Sequence, residues 1–248
     1  MDVLSEVLKT VKLDGAVFYN AEFSAPWCFC SPPSSELAPY LSAGANHVII
    51  FHLLTEGRGF AHIEGNQRPL QLAAGDLVIL PDGDPHALRN GPFVRPTNHA
   101  EQVKRVFAQG LKVARMGGGG EVAKFICGYM ACDPQLSQPF LGGLPPILKV
   151  NVRADAASQW LEQTIRYSVD HADGAQPGSQ AVLARLSEVL FIEALRRYIA
   201  VLILIKRGGW PVFVTRKSEK LWACCTASRL IRGRSRLSPR KWAFLDPY

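Results

Sequence analysis

The 248-residue sequence has no long apolar run. Its longest, Tyr198 to Ile205, holds 8 residues, far short of the roughly 20 needed to span a bilayer. The start, MDVLSEVLKTVKL, has acidic residues and a helical period where a secretory leader would have a basic end and an apolar core. A soluble, cytoplasmic protein that makes no membrane contact is expected. Cysteine lacks organisation. Of the 6, Cys28 and Cys30 are separated by one residue, Cys127 and Cys132 by four, and Cys224 and Cys225 are adjacent. No pair has CxxC spacing or sits beside histidines as in a zinc finger. Reduced, partly buried thiols are the expectation for a cytosolic chain.

Acidic residues are scarce in one place only. The formal net charge is +7, from 28 Lys+Arg against 21 Asp+Glu. Residues 1–200 carry 17 basic and 19 acidic side chains. Residues 201–248 carry 11 basic ones against Glu219 and Asp246. A basic balance ordinarily points to nucleic acid. Here residues 1–200 are slightly acidic, and the +9 tail needs a separate account. The composition, 48% hydrophobic and 20% charged, is that of a globular protein.

What is there changes texture along the chain. Residues 2–12 place Val3, Leu4, Val7, Leu8 and Val11 at helical spacing. From 15 to 131 short β-prone runs alternate with turn formers: AVFYN (16–20), HVIIFHLL (47–54), GFAHIEG (59–65), PLQL (69–72), DLVILP (76–81), HAL (86–88) and AKFICGYMA (123–131). Many short strands at such spacing predict an antiparallel sandwich or barrel. Gly65-Asn66 suits a hairpin tip, VKRVF (103–107) a further strand, and Gly117–Gly120 a flexible surface loop rather than a phosphate cradle, because a strand follows it. From 154 the period becomes helical. Trp160, Leu161, Thr164, Ile165, Ser168 and Val169 form one stripe. After the loop 171–178, Ser179 caps a second helix with a wide apolar face.

One segment is specific. Gly75-DLVIL-Pro81-D-Gly83-DP-His86-ALR-Asn90 reads G-x5-P-x-G-x2-H-x3-N. This resembles the second motif of the cupin superfamily at all five defined positions: Gly75, Pro81, Gly83, His86 and Asn90. The first, metal-bearing cupin motif is not matched. His52 sits in a strand, Leu54 takes the place of the second histidine, and Glu56 lies at the turn TEGRG. A metal cupin needs three or four inward donors, so no metal and no cofactor are expected. His52, His62 and His86 are then hydrogen-bonded groups in the barrel or contacts to an organic ligand. Phe18, Trp27, Phe51 and Phe60 are candidate pocket lining, yet core packing explains each of them more cheaply.

The resemblance narrows further along. FSAPW (23–27), FHLLTEGRGFAHIEG (51–65), GDLVILPDGDPH (75–86), FICGYMACD (125–133), LGGLPPILKV (141–150) and GSQAVLARLSEVLFIEALRRYI (178–199) together resemble the N-terminal cupin of AraC-type transcription regulators. That resemblance implies a cupin-like jelly-roll barrel over 1–153 that senses an unknown small-molecule effector. It implies an antiparallel helical hairpin over 154–200 that supports a homodimer, with Leu183, Leu186, Leu190, Ala194 and Tyr198 as dimerisation residues. It also implies no catalysis. The alternative is a metal-dependent cupin enzyme, a dioxygenase or isomerase, using His52, His62 and His86 with Glu64. A third reading is a module that poisons full-length relatives by heterodimerising through 179–200.

The family also implies a helix-turn-helix region after position 200. The tail VLILIKRGGWPVFVTRKSEKLWACCTASRLIRGRSRLSPRKWAFLDPY shows no helical period on which one can be placed. Back-translated and read two nucleotides on, its codons permit GWLAGLRDPKVGKALGLLHRKPAHPW, which resembles the linker and first helix of the AraC-type DNA-binding domain. A frameshift near residues 200–205 is therefore expected, with 201–248 an irregular or disordered basic tail. DNA binding is then expected of the family and not of this chain.

Overall fold

A computed structural model describes residue 5 and residues 13–41, 48–63, 68–92, 112–132, 141–153, 155–171 and 177–207. The expected helix at 2–12 (Ser5 apart), the hairpin tip at 65–66, the strand at 103–107 and the tail from 208 onward lie outside the described residues. Among the described residues, ten strands are arranged in two sheets. The larger has the order β10-β6-β3-β9-β1-β8, and the smaller β2-β7-β4-β5. Their ranges are β1 Leu13–Ser24, β2 Trp27–Ser31, β3 Val48–Glu56, β4 Arg58–Ile63, β5 Leu70–Ala73, β6 Asp76–Leu80, β7 His86–Asn90, β8 Ala114–Gly117, β9 Val122–Cys132 and β10 Leu148–Asn151. The sheets face each other as a cupin-like jelly roll. Among the described residues they do not close into a single barrel.

Strand alternation builds two cores. On β3, Val48, Ile50 and Leu54 point between the sheets, while Ile49, Phe51 and Leu53 point outward under the helices. This is why VIIFHLL is apolar at every position but His52: both of its faces are covered. Strand β6 divides the same way, with Val78 and Leu80 inward and Leu77 and Ile79 outward. On β1 a register shift between Val17 and Tyr19 swaps faces. Val17 joins the outer core, and Tyr19, Ala21 and Phe23 join the inner one.

Three helices complete the described fold: α1 Ser34–Leu41, α2 Ala156–Asp170 and α3 Ser179–Arg207. The last two cover the outer face of the larger sheet through Leu161, Ile165, Val169, Leu183, Leu190, Phe191, Ala194 and Leu195. Helices α2 and α3 thus share a core with the sheet. A bidentate ion pair fixes α2. Arg153 donates to the buried Glu162 through Nε (2.6 Å) and Nη2 (2.5 Å), and Nη2 also donates to the Thr55 carbonyl at 2.6 Å. The loop Gly117–Gly120 is pinned where free movement was expected. The Gly118, Gly119 and Gly120 amides donate to Ser24 O, Ser24 Oγ and Ala25 O at 2.8, 3.0 and 2.9 Å. Those amides are spent, which also rules the loop out as a phosphate cradle.

Candidate functional site

The motif GDLVILPDGDPH is a turn, a strand, a second turn and the start of another strand. Gly75 holds φ +90° between β5 and β6, and Gly83 holds φ +61° before β7, both in the region that favours glycine. A Cβ at Gly83 would lie 2.2 Å from Ser34 Cβ, so this glycine also lets α1 approach the turn. The tight turn delivers His86 as the first residue of β7. Its side chain points inward because its cross-strand partner Ile63 does.

His86 meets His52 across the gap between the sheets. The His52 Nε2 to His86 Nε2 distance is 2.7 Å. The other ring nitrogens bind away from that contact. His86 Nδ1 lies 2.7 Å from the Asp84 carbonyl, and His52 Nδ1 lies 2.8 Å from Cys127 Sγ. Cys127 stands directly opposite His52 in the β3–β9 register.

The chemistry of the end group fixes every proton in this chain. A carbonyl only accepts, so His86 Nδ1–H is the donor to Asp84. A neutral His86 then accepts at Nε2 from His52 Nε2–H. His52 in turn accepts at Nδ1 from the Cys127 thiol. Burial agrees with the neutral forms. It holds His52 well below its ordinary value, and the neighbouring His86 adds to this. It pushes His86 down to about 4, against the Asp84 hydrogen bond that raises it. The Cys127 thiol is pushed up by burial. The result is a neutral, fully paired polar link inside an apolar core, able to hold the two sheets together at low desolvation cost.

A metal of the kind the cupin fold carries does not fit these residues. His52 offers one ring nitrogen to Cys127 and the other to His86, so the three groups do not converge on one point. Leu54 is buried in the inner core at the place of a second histidine. Glu56 pairs at the sheet's end with Lys124 (2.8 Å) and Arg166 (2.7 Å). The Lys124 hydrogen bond leads in holding the Glu56 carboxyl below its usual range. No group of three His, Cys, Asp or Glu side chains suited to an ion occurs among the described residues.

The other predicted site residues divide by face. Trp27 is inward and 4% exposed, tilted on Phe23 with ring centroids 4.8 Å apart and edge-on to Phe125 at 5.6 Å. Its indole Nε1 is buried with no hydrogen-bond partner among the described residues. It lies opposite Asn90, whereas Ser31 lies opposite His86. Trp27 is therefore four residues, about 13 Å along the strands, from the histidine pair. His62 and Phe60 do not join that pair. Their neighbours Ala61 and Ile63 face inward, so both point to the outer face of the smaller sheet. Phe51 faces the helices. Glu64 and the Phe18 side chain lie outside the description. The residues of the expected dimerisation stripe pack within this chain. Leu183, Leu190 and Ala194 are buried in this chain's own outer core, with Leu186 and Tyr198 packed against it.

Sequence reasoning missed Cys127 as the partner of His52. The two are 75 residues apart, and only the strand register brings them together.

A sequence profile of the cupin family matches residues 2–200. The chain is a cupin. This cupin is similar to an uncharacterised helix-turn-helix-type transcriptional regulator of Haemophilus influenzae, 24% identical over 202 residues, covering 80% of this chain and 60% of the relative. It is also similar to the helix-turn-helix-type transcriptional regulator AlkR of Acinetobacter baylyi, 20% identical over 205 residues, covering 81% and 62%. The chain thus spans about three-fifths of the length of the curated relatives it matches. Among solved structures, ToxT of Vibrio cholerae aligns over 92% of this cupin and 66% of its own chain, at 8% identity and a TM-score of 0.34.

Proposed function

We propose that this cupin is the small-molecule-sensing part of an AraC-type transcription regulator, acting in the cytoplasm and without catalysis of its own. The observation that carries the reading is the alignment of both regulators over some 200 residues, from the sheets into the helices. The interior chemistry supports it. The Cys127–His52–His86 link has no displaced proton, no charge and no converging donors, so it offers neither a general base nor a metal cradle. The orphaned indole N–H of Trp27 is a donor for an acceptor atom on an effector held between the sheets.

In this reading the protein works as a homodimer. The face of α3 left for a partner is the one bearing Val182 and Val189, which are 50 and 47% exposed. The basic tail is the product of a shifted reading frame. Elemental analysis of the purified chain discriminates the sensor from the enzyme. The sensor contains only substoichiometric iron, manganese, nickel and zinc. One equivalent of any of them, with activity that chelation removes, would establish the enzyme instead.

A further inference from the structure

The smaller sheet carries a second cluster of reactive groups on the face turned away from the interior. Strand β2 is an edge strand. Trp27 and Phe29 point inward, so alternation turns Cys28 and Cys30 outward. Their sulfurs are 3.8 Å apart. Cys28 is half-buried and Cys30 buried. The register sets Arg89 and then Phe60 beside Cys28 on the same face. Arg89 donates through Nη1 to the Gly91 carbonyl at 2.9 Å, while its Nε is buried with no hydrogen-bond partner among the described residues. None of these groups takes part in the interior link.

A direct disulfide is disfavoured here. Residues i and i+2 of a strand have Cα atoms about 6.8 Å apart, at the limit of what a disulfide spans. The same spacing suits an ion between the sulfurs. With a bond of about 2.3 Å to each sulfur and an angle of about 100–110° at the bound atom, two thiolates sit about 3.5–3.8 Å apart. The thiols already hold that separation. No third donor completes a cluster among the described residues. This selects against ions that demand four protein ligands and favours soft ions content with two thiolates.

We propose that Cys28 and Cys30 form a dithiol site for a soft, thiophilic ion of the trivalent-arsenic class, on the outer face of the smaller sheet. With phenylarsine oxide as the probe, two S–H bonds and the As=O bond are lost and two As–S bonds form. The two thiol protons leave with the oxygen as one water, arsenic stays trivalent, and no oxidant is needed.

The test is phenylarsine oxide titration of the whole purified chain, then tryptic mapping by mass spectrometry. Cleavage after Lys12 and Arg58 releases residues 13–58, in which Cys28 and Cys30 are the only cysteines. The proposal expects one tightly held phenylarsenic group on that peptide. It also expects Cys28→Ser to weaken capture there about 100-fold, since the second linkage is lost. Label confined to the peptides that carry Cys127 and Cys132 or Cys224 and Cys225 would overturn it. So would capture on 13–58 that Cys28→Ser leaves unchanged. The mapping uses the unaltered chain, so the site is tested even where a variant fails to fold.

Discussion

His52 and His86 are each worth more as a pair than alone. Replacing either by leucine leaves its partner's nitrogen buried without a mate, at a cost of about 1–3 kcal/mol. The double replacement should cost clearly less than the two singles added together, because the orphan disappears with its partner. Urea unfolding of the three variants checks this. The pair also sets an acid limb. Both histidines titrate lower in the folded chain than unfolded, so the unfolded state binds more protons below the ordinary histidine value. Stability is then complete above about pH 6.5. It falls as the pH drops from there toward His86's folded value of about 4. The loss approaches about 1.4 kcal/mol per pH unit for each histidine. Unfolding midpoints across this range should decline steeply in the native chain and flatten in the double variant.

At the scale of elements, the β6–turn–β7 unit was readable because its information is local. Gly75, Pro81, Gly83 and His86 lie within a dozen residues, and each has a backbone reason to be there. Gly83→Ala adds a Cβ at positive φ, worth about 1–2 kcal/mol. It also drives that carbon into the Ser34 side chain and toward the Val48 carbonyl, 2.7 Å away. A loss of more than about 2 kcal/mol in thermal or urea unfolding is expected. The Arg153–Glu162 clamp makes a similar point about α2. Arg153→Ala leaves a carboxylate that is 3% exposed without its cation and should cost about 3 kcal/mol. Glu162→Gln should cost less, because an amide keeps an acceptor without the buried charge.

The elements that escaped the sequence did so for physical reasons. Strand β2 and helix α1 sit in a stretch rich in Pro and Ser, and α1 is only eight residues long with Pro39 inside it. Tertiary contacts, not local propensity, hold them. Alternation placed Phe60 and His62 on one face of β4. It could not say which face the core would take, and the core took Ala61 and Ile63. The period of α3 marked a stripe to be buried but not what buries it. The chain's own sheet does, so Leu183, Leu190 and Ala194 serve the fold.

At the scale of the whole molecule, the charge of +7 resolves into a slightly acidic cupin region and a strongly basic tail. Eleven cations in the last 48 residues attract any polyanion, and such binding weakens steeply with salt. Mobility-shift assays should find weak association with unrelated DNA sequences that vanishes by about 0.2 M salt and is lost when the chain is cut after Arg207. Saturable binding to one operator that survives that salt would mean the tail forms a specific DNA-binding unit.

The most direct measure of sensing is transcription itself. Residues 1–207 joined to an AraC-type DNA-binding domain of known operator form a hybrid regulator, which can be challenged with a panel of small organic acids, sugars and hydrocarbons. The account predicts that at least one compound changes reporter output severalfold. It also predicts that Trp27→Phe, which keeps the ring packing and removes the indole donor, shifts that response to higher concentration. A hybrid that assembles and occupies its operator yet ignores every compound, or a response indifferent to Trp27→Phe, would contradict an effector held between the two sheets.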